Sequence, residues 1–120
     1  MFVAIIGFGI NANAQCNFGG VSNISTSTRG NTVTITVTIT PNATPTVDAK
    51  GYVDYEFVIV PSGAIAAILD SSRKSTTVRF ANGRWETTGR TVEFTCDVST
   101  YNQHGQCTMQ DFRVESCYKK

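Results

Sequence analysis

Nine residues of strict alternation constrain this chain more than any other feature. Thr32 to Thr40 reads TVTITVTIT, with Val33, Ile35, Val37 and Ile39 on one face and threonines on the other. A period of two in β-branched residues is the pattern of a strand with one face buried, and it does not fit a helix. Pro41-Asn42-Ala43-Thr44-Pro45 ends the run, because proline cannot donate to a ladder. A chain holding such a strand has to supply others to cover its apolar face.

The remaining chain supplies them. From Gly51 to Val60, residues Val53, Tyr55, Phe57 and Ile59 point one way and Tyr52, Asp54 and Glu56 the other. Apolar residues become continuous from Phe57 to Val60, which predicts cover on both faces there. Pro61-Ser62-Gly63 reads as a turn, and Ala64 to Leu69 as a short buried strand, with a helical turn as the alternative. Ser75–Ala81, Asn82-Gly83 and Arg84–Thr88 form a hairpin with a type I′ turn, which sets Phe80 against Trp85 and Arg79 against Glu86. Gly89-Arg90 fits a second two-residue turn, pairing Trp85 with Phe94 and Thr87 with Val92. The strand ending at Cys96–Val98 is followed by a polar loop, Ser99 to Thr108, and a last strand, Met109 to Tyr118. Seven or eight short strands predict an all-β, two-layer antiparallel sandwich of immunoglobulin-like type, with a closed barrel as the alternative.

The N-terminus points to export. Phe2 to Ile10 is apolar and too short to span a bilayer, and Ala12-Asn13-Ala14 places small residues where a signal peptidase cuts. No Lys or Arg precedes the apolar run, so Met1 reads as an internal methionine of a longer leader or a misassigned start. The expected organisation is a signal peptide at 1–14 and one β-sandwich domain at 15–120, secreted, periplasmic or held at the cell surface. Gln15 before Cys16 breaks the lipoprotein pattern. A net charge of +1 gives no long-range pull on nucleic acid, and nothing after the leader is apolar enough to span a membrane.

Four cysteines in an exported chain predict two disulfides. Cys96 lies on the apolar face of its strand. With Phe112 and Val114 inward on the last strand, Cys117 should face outward. That facing favours Cys96–Cys107, stapling the polar loop, and Cys16–Cys117, joining the chain ends; Cys16–Cys96 with Cys107–Cys117 is the rival.

Candidate chemistry is sparse. His104 is the one histidine and sits in the loop Tyr101-Asn102-Gln103-His104-Gly105-Gln106-Cys107. Loops held on a rigid scaffold carry binding function, so Tyr101, Asn102 and His104 form one candidate surface. His104 and Cys107 alone are too few for a metal site, so neither a metal nor a cofactor is expected. Asp54 and Glu56 share a strand face roughly 6–7 Å apart, a spacing near that of paired glycosidase carboxylates but also common on solvated strands. Arg73, Lys74, Arg79, Arg84 and Arg90 crowd one stretch against Glu86. Of these, Arg79 and Arg84 are the candidates for an anionic ligand. The threonine row has the look of an ice-binding face, but one strand cannot form such an array. Asn23-Ile24-Ser25 and Asn42-Ala43-Thr44 match the N-glycosylation pattern. With no nucleophile motif or phosphate loop, the expected function is a non-enzymatic binding module for a protein or glycan. The alternatives are a structural subunit of a surface fibre, donating Thr32–Thr40 as an added strand, and a small hydrolase using Asp54, Glu56 or His104.

Overall fold

The computed structural model of the chain describes residues 19–120. The leader at 1–14 and Cys16 therefore lie outside the described residues. Among the described residues seven strands are formed: β1 (Gly20–Arg29), β2 (Thr32–Thr40), β3 (Tyr52–Pro61), β4 (Lys74–Ala81), β5 (Arg84–Trp85), β6 (Thr91–Asp97) and β7 (Phe112–Lys119). They make two antiparallel sheets, one of three strands in the order β1-β2-β6 and one of four in the order β5-β4-β3-β7.

The alternation in β2 performs as its pattern demands. Val33, Ile35, Val37 and Ile39 are all buried, while the threonines between them are half-buried or exposed. β2 is the central strand of its sheet, flanked by β1 and β6, so it has no free edge to donate to another subunit. In β3, Val53, Tyr55, Phe57 and Ile59 face the opposing sheet, and burial becomes continuous from Phe57 to Pro61. Val58 and Val60 are buried as well, and Arg73, just before β4, pairs with Glu115 of β7 at 3.3 Å.

The core joins both inner faces. Trp85 packs edge-on against Tyr55, Phe57 and Phe80, with ring centroids 5.8, 5.6 and 5.2 Å away. These T-shaped contacts suit the ring quadrupoles. The indole Nε1–H donates to the Ala43 carbonyl at 2.7 Å, which ties the segment after β2 to the hairpin.

The Asn82-Gly83 hairpin forms in the expected register, with Phe80 opposite Trp85 and both turn residues at positive φ. The second hairpin does not form. β6 leaves this sheet and pairs with β2, setting Phe94 opposite Ile35 and Val92 opposite Val37. The two inner faces share one core, so an inward-facing residue fits either sheet and facing cannot choose between them. What chooses is the 86–90 crossover. Arg90 donates to the Glu86 and Trp85 carbonyls (2.7 and 2.9 Å), the Thr76 hydroxyl donates to the Gly89 carbonyl (2.6 Å), and the Arg90 carbonyl accepts from Ile39 N–H (2.9 Å).

Three other expectations are corrected. Gly63–Ala67 is a 3-10 turn and not a strand, although Ile65 is fully buried as expected of its apolar run. The polar loop contains a helix, α1 (Val98–His104), N-capped by Asp97, whose side chain accepts from Ser99 N–H, and closed by Gly105 at φ 93°. Cys117 faces the core and is fully buried. Between Val114 opposite Ile59 and Cys117 opposite Phe57, β7 carries one residue more than β3 does. That bulge reverses the facing of everything beyond it.

Candidate functional site

The sandwich has two ends, and the candidate residues are divided between them. At one end α1 follows β6. It meets the β1–β2 turn through the Val98 N–H to Asn31 carbonyl bond (2.9 Å) and lies near Cys107. At the other end stand the Asn82-Gly83 turn, residues 41–50 and the last residues of β7. Tyr101, Asn102 and His104 therefore belong to the first end and Arg84 to the second.

At the α1 end, Tyr101 acts as an anchor. Its hydroxyl accepts from the Cys107 backbone N–H (3.3 Å) and reaches the Cys107 sulfur at 3.6 Å. Partial burial pushes the phenol above its ordinary range. Asn102 is exposed, and His104 is half-buried with Nδ1 2.9 Å from the Gly105 carbonyl. The expected Cys96–Cys107 bridge is absent: both are buried free thiols, with the Tyr101 hydroxyl seated against the Cys107 sulfur. Burial first, then the neighbouring Cys107 and Asp97, raises the Cys96 thiol above its ordinary value, so it is a poor nucleophile. The Cys16–Cys117 pairing has one end outside the described residues. A groove of about 350 Å³ runs here past Ile68, Leu69, Asp70 and Cys96. Its acids are engaged. Asp70 accepts from Thr95 N–H and Lys74 (both 2.9 Å), and Asp97 caps α1.

On the outer face of the four-stranded sheet, Asp54 and Glu56 are also engaged. Arg79 donates to both Asp54 oxygens (2.8 and 3.2 Å) and stacks on the Tyr52 ring at 3.7 Å, so Arg79 answers Asp54 and not Glu86. Glu56 accepts from Tyr118 of β7. The Arg79 hydrogen bond holds the Asp54 carboxyl below its ordinary 3.8. The folded state therefore binds this proton more weakly than the unfolded state. The pair's stabilisation is present above pH 3.8 and is lost as pH falls through the lower folded value. Asp54→Asn should flatten the acid limb of a plot of melting temperature against pH below 3.8, while matching the parent's shape at neutral pH. Parallel acid limbs would show that the pair carries no proton linkage.

The hairpin end presents the more open chemistry. Two shallow grooves of about 350 Å³ each flank the Trp85 anchor: one lined by Thr44, Pro45, Thr46, Tyr55 and Lys119, the other by Arg84, Trp85, Glu86, Thr87 and Thr88. Arg84 and Lys119 are exposed and have no ion-pair partner among the described residues. Lys119 and the Thr44–Thr46 segment escaped sequence reading, because it is the Trp85–Ala43 bond and the β3–β7 pairing that bring them together.

Among the described residues no group of three or more His, Cys, Asp or Glu could hold a metal ion, and no helix is long and apolar enough to cross a membrane. No family model, curated protein or solved structure matches this chain.

Proposed function

We propose that this protein is an exported, non-enzymatic binding module that presents the hairpin end of its sandwich to an acidic extracellular glycan. One observation carries the reading. Two exposed cations with no ion-pair partner among the described residues, Arg84 and Lys119, border two open grooves, whereas Asp54 and Asp70 are held in structural pairs. Guanidinium and ammonium groups beside shallow polar grooves suit carboxylate or sulfate groups on a flexible chain. Glu86 borders one groove and would disfavour anions crowded on its side.

We also infer that the sandwich is of the immunoglobulin-like type. β2 beside β6 and β3 beside β7 correspond to the B–E and C–F pairings of that fold, with β4 and β5 as the added C′ and C″ strands. The D strand beside E and the G strand after F have no counterpart among the described residues.

Retention on immobilised heparin, a sulfated glycan, tests the function. Binding should weaken as salt is raised. It should fall several-fold in Arg84→Glu and Lys119→Glu, with unchanged melting temperature. No retention at low salt, or retention indifferent to both charge reversals, would overturn the reading.

A further inference from the structure

We propose that a second copy of this chain docks on the outer edge of β1, so that two three-stranded sheets join into one continuous six-stranded sheet. The four sheet edges formed by the described residues are unequally defended. Unpaired edge groups invite another strand, and proteins blunt them with short strands, bulges, charges or capping side chains. β5 is two residues long. β7 carries a bulge, together with exposed Arg113, Glu115 and Lys119. On β6, Asp70 occupies the edge at Thr95, donating its backbone N–H to the Thr95 carbonyl and accepting the Thr95 N–H on its side chain. Among the described residues, β1 has no such device over Asn23 to Arg29. Its bulge lies before Asn23, its register with β2 is unbroken from there on, and no charged side chain precedes Arg29.

A second observation comes from burial. Ser25 to Arg29 are exposed on both faces, although Thr26 and Thr28 stand opposite Ile35 and Val33, which are buried in the core. This half of β1 is a regular strand whose side chains stay exposed on both faces. Ordering a strand without burying it is costly, and a partner would offset that cost.

The same segment is complementary to itself. Opposite residues of an antiparallel pair share a face, so a two-fold axis between the strands has to set one residue opposite its own copy. The unbroken stretch Asn23–Arg29 is centred on Thr26. With the axis there, Thr26 faces the partner's Thr26, Ser25 faces the partner's Ser27, Ile24 faces the partner's Thr28, and Asn23 faces the partner's Arg29. Hydroxyl residues meet across the seam, the half-buried Ile24 covers an exposed inner-face threonine, and no like charges oppose each other.

Sedimentation equilibrium of the full chain from micromolar to millimolar concentration tests the proposal. Wild type should show a reversible monomer–dimer equilibrium. Thr26→Lys and Thr26→Glu should each be monomeric, because the substitution sets like charges face to face on the axis. Both should keep the parent's melting temperature at low concentration, since Thr26 is exposed in the single chain. An equimolar mixture of the two variants should recover a dimer. A wild type monomeric throughout, a dimer that survives both variants, or a mixture that stays monomeric would each overturn it.

Discussion

Phe57→Ala is expected to lower the unfolding free energy by about 3–5 kcal/mol, the range for truncating a fully buried phenylalanine. Phe57 is wholly buried at the centre of β3, between β4 and β7, and one of its contacts is the Trp85 ring. Removing its ring takes away transfer energy and leaves a void beside Trp85, which is itself held by the Ala43 carbonyl and cannot simply slide in. A domain of this size has a total stability of roughly 5–15 kcal/mol. The variant should therefore unfold at a much lower urea midpoint than wild type with a similar m-value. Trp85 fluorescence is a suitable probe, because it is the one tryptophan. A midpoint shift corresponding to less than about 1 kcal/mol would mean that the two sheets do not meet at this residue.

Gly89→Ala should be strongly destabilising although Gly89 lies outside the core, costing at least about 2 kcal/mol. Two effects combine at this position. Gly89 has φ +74°, which L-residues adopt at a cost, and an added Cβ would stand 2.3 Å from the Thr77 carbonyl oxygen, a backbone atom that cannot rotate away. Gly30 is the control. It has φ +59° with nothing within 4 Å of an added Cβ, so Gly30→Ala should show the conformational cost alone, about 1–2 kcal/mol. A Gly89 variant no worse than the Gly30 variant in thermal melts would mean that the crossover does not press against β4.

The crossover also marks the limit of what the sequence made legible. The alternation in β2, the burial of β3, the Phe80–Trp85 register and the Asn82-Gly83 turn were all readable, because each depends on period two or on a turn residue of defined φ. The sheet to which β6 belongs was not. Its apolar residues satisfy either inner face, and the deciding contacts come from Arg90, Thr76 and Ile39, distant in sequence. The facing of Cys117 was hidden by a bulge that no residue pattern announces. α1 was hidden because it is only seven residues long and, apart from Val98 and Tyr101 packed against the core, its side chains are polar, too short a run to show an apolar period. Its ends carry the available signals, Asp97 as N-cap and Gly105 beyond the last turn.

The candidate site was half visible. Arg84 stood out as a cation beside a tight turn, and it remains exposed and unpaired among the described residues. Arg79 looked equivalent but is bound to Asp54 across the β3–β4 pair, a partner set by register and not by sequence proximity. The loop candidates split similarly. Tyr101 is turned toward Cys107 while Asn102 is open to solvent.

The central claim is that ligand meets the hairpin end, and amide chemical-shift mapping during titration with a heparin-derived oligosaccharide tests it most directly. Shifts should concentrate at residues 44–46, 84–88 and 119, and leave 98–106 unmoved. Shifts confined to α1 and its flanks, or none at saturating oligosaccharide, would contradict it.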